Sequence, residues 1–209
     1  MARKPRTSPE TLERGRFRRM QIVDAAIELF STSGYRGTGL AGIAAQVGVT
    51  QAGLLHHFGS KEKLLEAVVQ HRSAQDAAVV EEIIGDGGIA MFDRLVLLAR
   101  HNTRRAGLSQ LFTVLVAENL LPEHPAHDFF RDRYRHLRSV VVAAMRKGVE
   151  RGEIRADADL DLAGARLIAA MDGLQTQWLL DPKQVSLIAA FQELGASFRR
   201  ELAVSEPPV

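Results

Sequence analysis

The chain has 209 residues, of which 46% are hydrophobic and 25% charged, enough for a sizeable core in one large domain or in a small domain beside a larger one. It contains no cysteine, which excludes a disulfide framework and a thiolate metal site and fits a reducing cytoplasm. The net charge of +2 is unevenly placed: residues 1–63 hold ten Lys and Arg against five Asp and Glu, and the remainder seventeen against twenty, so the basic end is the one suited to a polyanion.

Residues 1–15 are polar, carry Pro5, Pro9 and Gly15, and read as a flexible basic arm. No apolar stretch follows Met1 to Thr7, so no secretory signal is expected. The longest apolar run, Val140 to Met145, is far too short to span a membrane. From Arg16 the pattern is helical, with Ile22, Ala25, Ala26, Leu29 and Phe30 on one face until Gly34 interrupts it. A short second helix puts Leu40, Ile43, Ala44 and Val47 inward and ends at Gly48. A third begins near Thr50 and turns Leu54 and Phe58 inward. Ser60 is a good N-cap for a fourth helix, which has Glu62 in its first turn and continues through Leu64, Leu65, Val68 and Val69 toward Ile84.

Asp86-Gly87-Gly88 is a break. Helices then read as 89–104, 107–120 and 127–151. Another starts among Asp157, Asp159 and Asp161 and runs to about Leu180, and after Pro182 a last one reaches about Leu202. No strand alternation and no repeat is visible. The expectation is an all-α chain of about nine helices. Its divisions are an arm at 1–15, a first domain of three helices at 16–62, a second, larger helical domain at 63–202, and a disordered tail at 203–209.

Leu40 to Phe58 reads as two helices joined at Val47-Gly48-Val49, a unit able to lay its second helix in the major groove. The outer side of that helix is small or polar: Gln51, Ala52, Gly53 and His56. Small residues permit close approach, and a Gln makes a bidentate bond to adenine. Taken alone, the unit is equally well a helical hairpin facing water.

The longer string is more specific. Phe30-Ser-Thr-Ser-Gly-Tyr35, Thr38, Ile43-Ala44, Val47-Gly48-Val49-Thr50, Leu54, His57-Phe58, Ser60-Lys61-Glu62 and Leu64-Leu65 resemble the N-terminal domain of the TetR family of bacterial transcriptional regulators, over about Arg16 to Val69. The resemblance implies that Thr38 caps the second helix and touches phosphate. It places Gln51, Ala52, Gly53 and His56 among the base-edge readers, with Thr50 at the start of the same helix. It sets His57 beside the DNA backbone and Lys61 on a phosphate. Two positions depart from the family. Leu55 stands where a Tyr is usual and offers a thymine methyl an apolar contact instead. Gly39 replaces a hydroxyl residue, and with Gly42 it is expected to weaken the second helix by about 1 kcal/mol each.

On the helix from Asp159, Leu160, Ala163, Leu167, Ala170, Leu174 and Trp178 form a stripe, as do Ile188, Phe191, Gly195, Phe198 and Leu202 on the last helix. The plain reading is that both serve the chain's own core. The resemblance implies a four-helix homodimer interface through the last two helices, and with it a palindromic double-stranded DNA operator. Phe92, His101, Phe112, Glu118, Met171, Gln175 and Trp178 are candidates to line a pocket for an unknown small, mainly apolar effector that releases the repressor from DNA. An effector-independent regulator or an activator on the same fold is the alternative. His124 and His127 read as loop residues rather than a metal site, and the aspartates at 157–161 as a cap cluster rather than a calcium loop. No phosphate loop or nucleophile elbow is present, so neither an enzyme nor a cofactor or membrane partner is expected.

Overall fold

The structure is a computed structural model that describes residues 9–204. These form nine α-helices and no sheet: α1 (Pro9–Gly37), α2 (Leu40–Gln46), α3 (Gln51–Phe58), α4 (Lys61–Ile84), a 3-10 turn (Ile89–Arg94), α5 (Leu95–Arg104), α6 (Ala106–Glu118), α7 (His127–Glu150), α8 (Leu160–Leu180) and α9 (Leu187–Leu202). None of the described helices is long and apolar enough to cross a membrane.

Helix α1 begins at Pro9, so residues 9–15 are helical rather than part of an arm. Proline suits the first helical position because its missing N–H has no partner there, and Glu10 in the first turn favours the helix dipole. The rest of the expected arm, residues 1–8, lies outside the described residues. Gly34 breaks the helical path with φ 71° and ψ 165°, a conformation that suits glycine alone. Helix α2 ends in a Schellman motif. Gly48, at φ 67°, donates to the Ala45 carbonyl at 3.2 Å, and Val49 donates to Ala44 at 2.9 Å.

The chain divides into two compact units inside α4, after His71, rather than at residue 62. The first two turns of α4 carry Leu64, Leu65, Val68 and Val69, all fully buried, and they belong with the first unit. That unit also buries Ile22, Phe30, Ile43 and Leu54 completely, each contributing about 1.5–3 kcal/mol.

In the second unit α9 packs on α5 and the 3-10 turn, α7 packs on α8, and α8 also touches α6 and α9. The tightest approach of a glycine to another element's backbone is at Gly195, where an added Cβ would lie 2.2 Å from the Phe92 carbonyl oxygen. Phe92 stacks on Phe198 with ring centroids 5.8 Å apart. Phe191, Phe198, Leu202, Ala163, Leu167 and Trp178 are all buried in this chain's own core, so most of both stripes serves the monomer. Leu162, Leu180 and Ile188 remain exposed on α8 and α9. Asp159 caps α8 by accepting from the Leu162 N–H at 3.0 Å. The expected tail is shorter than 203–209. Ala203 bridges Ile154, and the Val204 N–H donates to the Glu153 carbonyl at 3.2 Å, while 205–209 lie outside the described residues.

Candidate nucleic-acid interface and ligand cavity

Helix α3 is held at both ends by local chemistry. Thr50 is its N-cap, its hydroxyl accepting from the Gly53 N–H at 3.0 Å. A Cβ at Gly53 would sit 3.3 Å from that hydroxyl oxygen, so the absent side chain leaves room for the cap. Gly59, at φ 80°, closes the other end with a 2.7 Å bond to the Leu55 carbonyl. Leu54 and Phe58 face inward, Gln51, Ala52 and His56 are exposed, and Gly53, Leu55 and His57 are half-buried between them. The helix therefore presents a strip of small, amide and imidazole groups outward.

Two residues that sequence reasoning missed brace this helix pair from α1. Arg18 donates to the Val47 carbonyl at 3.0 Å, at the C-terminus of α2. Arg19 donates to the His57 carbonyl at 2.6 Å and lies 4.1 Å over the Phe58 ring. A cation at a helix C-terminus meets the negative end of the helix dipole. Two arginines within the basic first helix are a signal in retrospect, but their targets are 29 and 38 residues away. His57 titrates below the ordinary histidine range because it is desolvated, with His56, Arg19 and Arg18 adding positive charge nearby.

Thr38 does not cap α2. It is 5% exposed, and its hydroxyl lies 3.1 Å from the Leu29 carbonyl and 2.8 Å from that of Gly34, so it closes the Gly34 kink from inside. Gly39 is the N-cap. It stands outside the helix, where glycine is tolerated, so only Gly42 weakens the interior of α2. At the start of α4, Ser60 accepts from the Lys63 N–H at 3.2 Å. Lys61 lies 4.4 Å from the Tyr35 ring centroid, and the Ser60 hydroxyl and the Glu62 N–H hold the Glu62 carboxyl below its usual range.

The second unit contains a cavity of about 150 Å³ with contributions from α4 to α9. Of the residues proposed to meet a ligand, Phe112, Met171 and Gln175 line it. Asn102 donates to Gln175 Oε1 at 2.6 Å, and Gln175 donates to Thr113 at 3.3 Å, so the amide belongs to a polar bridge joining α5, α8 and α6. Tyr134 of α7 donates to Asp172 at 2.7 Å, one turn before Gln175 on α8, and burial followed by that carboxylate pushes the phenol pKa up.

The other four residues lie elsewhere. Phe92 is core against Phe198 and Gly195. His101 stands behind the wall, its Nε2 3.4 Å from Asp76 Oδ1. Glu118 ends α6 away from the cavity lining, and Trp178 is buried in the core one turn beyond Gln175. No group of three or more metal-ligating side chains occurs among the described residues. His127 instead bonds through Nδ1 to the Asn119 carbonyl at 3.2 Å.

Residues 22–68 match the family described as bacterial regulatory proteins, tetR family, and residues 97–202 match that described as BetI-type transcriptional repressor, C-terminal. The chain belongs to the TetR family. It is 24% identical over 170 residues to the fatty acid metabolism regulator protein of Bacillus subtilis, covering 81% of this chain and 88% of that one. A TetR transcriptional regulator from Chloroflexus aurantiacus has the same fold, with a TM-score of 0.82 at 21% identity over 92% of this chain and all of the other. A SmeT–triclosan complex aligns with a TM-score of 0.78 at 18% identity over 90% and 92% of the two chains. This TetR-family protein is a helix-turn-helix transcriptional regulator of the repressor type rather than an enzyme.

Proposed function

We propose that this repressor binds a palindromic operator as a homodimer in the cytoplasm and is released by a small, mainly apolar effector held in the cavity of its second unit. The observation that carries the effector is the cavity itself, whose mainly apolar walls are interrupted by a minority of polar and charged groups, as in ligand sites. The complex of SmeT with triclosan supports a ligand-holding role for this fold. For DNA, Gln51, Ala52, Gly53, Leu55 and His56 are the base-facing set. Thr50, His57 and Lys61 stand beside the backbone. Exposed Leu162, Leu180 and Ile188 on α8 and α9 support pairing through those helices.

In the dimer the two α3 helices would lie about 34 Å apart, one DNA turn. An effector shifts the protein off DNA only by as much as it prefers the released state. The test selects operators from random duplex DNA and titrates the protein by gel shift with and without candidate effectors. Selection of non-palindromic sites, or operator release by no ligand that fills the cavity, would remove the corresponding part of the proposal.

A further inference from the structure

The cavity shares a charged wall with a second space. A larger groove of about 750 Å³ runs between α4 and α7 and shares Asp76, Val80, Ile84, Arg133, Leu137 and Val140 with the inner cavity. Asp76 and Arg133, paired at 3.2 Å, are the two charged residues on that shared wall. The inner space thus adjoins a wider groove along a wall that carries an ion pair.

The charges around it do not balance. Asp76 and Asp172 line the inner cavity, and Glu81 and Asp132 line the groove. Among the described residues Arg133 is the one Lys or Arg lining either space, and it is already engaged. It donates to Ser73 at 3.0 Å and to Asp76, and its guanidinium lies 5.1 Å from the Phe112 ring centroid. Two histidines stand nearby, His101 against Asp76 and His136 on the groove. Asp132 is drawn outward to Arg131 and Arg135. Asp172 is exposed as a residue, yet desolvation of its carboxyl pushes its pKa up, with Tyr134 and Arg133 acting in the opposite sense.

An anionic ligand entering here would have to take Arg133 from Asp76 and sit beside a second carboxylate. A neutral ligand would leave both carboxylates as they are. A cation relieves the excess, and the polarisable thioethers of Met91 and Met171 line the same space. An apolar cavity of about 150 Å³ takes a group the size of benzene.

We infer that the ligand of this cavity is an organic cation, an ammonium group placed beside Asp172 and carried on an apolar chain whose benzene-sized end fills the inner space. This rests on the reading of the cavity as a ligand site, and it names the ligand's chemical class. The groove between α4 and α7 holds the remainder of the chain.

Three probes share one ring and chain and differ in charge: 4-phenylbutylamine, 4-phenylbutanol and 4-phenylbutyrate. Calorimetry on the full-length protein at pH 7 should find the amine tighter than the alcohol by at least about tenfold, with the carboxylate weakest. In Asp172→Asn, which keeps a partner for Tyr134, the preference for the amine should shrink to about threefold. The comparison among the three probes on the wild-type protein stands whether or not that variant folds.

Equal or tighter binding of the alcohol or the carboxylate overturns the inference, as does saturable binding by none of the three. Gel shifts run in parallel separate the two readings. An amine that binds without releasing operator supports the ligand class and defeats the effector role. A carboxylate that binds best and releases operator keeps the effector role and defeats the class.

Discussion

Arg18 of α1 donates to the carbonyl oxygen of Val47 at 3.0 Å, which ties the first helix to the turn between α2 and α3. That turn sets the angle at which the recognition helix leaves the domain, and Gly48 allows it by taking φ 67°. With Arg19 on His57 at the far end of α3, one helix braces both ends of the DNA-reading unit. Arg18→Ala should therefore lower the stability of the chain by about 1–2 kcal/mol, the loss of a charge-assisted bond, and weaken operator binding. Arg16, which is exposed, is the control, and its replacement by Ala should shift stability by less than about 0.5 kcal/mol. Urea unfolding followed by circular dichroism measures both, and equal midpoints for the two variants would contradict the bracing role.

Gln51 and Lys61 are expected to separate base reading from backbone anchoring. Gln51→Ala should cost about 1–3 kcal/mol and relax preference at one base pair per half-site. Lys61→Ala should weaken all sequences alike and reduce the slope of log affinity against log salt by about 1 for each phosphate that the lysine no longer neutralises. Gel-shift titrations over a salt series and a set of single-base operator variants measure both. Unchanged base preference in Gln51→Ala would take that residue out of the reading set.

Core and interface are distinguishable on α9. Phe198 is buried within the chain and Ile188 is exposed at 37%. Phe198→Arg should unfold the protein, because an unpaired buried charge costs about 3–5 kcal/mol. Ile188→Arg should leave helicity and melting of the monomer intact while weakening a dimer through that face. Sedimentation at micromolar concentration, read beside circular dichroism, tests the pair. A monomeric wild-type chain would dispose of the dimer, and a folded Phe198→Arg would show that Phe198 is not core.

Gly195→Ala tests the close approach of α9 to the 3-10 turn in the second unit. Its new Cβ would meet the Phe92 carbonyl at 2.2 Å, so α9 or the 3-10 turn must move, at a cost of about 1–3 kcal/mol. Gly173→Ala, on α8 with open space around it, should instead be neutral or stabilising by up to about 1 kcal/mol. The melting temperature should fall for Gly195→Ala and hold or rise for Gly173→Ala, and an unchanged melt of Gly195→Ala would refute the close packing there.

The polar bridge across the cavity gives a further outcome. Gln175→Leu removes the 2.6 Å partner of Asn102, which is 5% exposed, and should destabilise the chain by about 1–3 kcal/mol even with no ligand present. Unfolding of the ligand-free protein checks this. A variant as stable as the wild type would mean that the bridge contributes nothing to stability.

What the sequence determined by itself was local. The period of apolar residues placed the helices, and Gly34, Gly48, Thr50, Ser60 and Asp159 marked their breaks and caps, because a cap or a left-handed turn is settled within three or four residues. The long string from Phe30 to Leu65 also carried the family, and with it the exposed side of α3. Tertiary structure decided the rest. A 3-4 stripe shows that a face is buried but not against what, so Phe198 read as interface or core, and Trp178 as interface, pocket or core, until α9 was seen against the 3-10 turn. The family resemblance implied that Thr38 caps α2, yet the kink at Gly34 brings two carbonyls to its hydroxyl and draws it inside. The cavity is the least local feature. Its wall joins side chains from α4 to α9, and its charge depends on which acid faces inward and on Arg133 being already paired, relations that no spacing along the chain records.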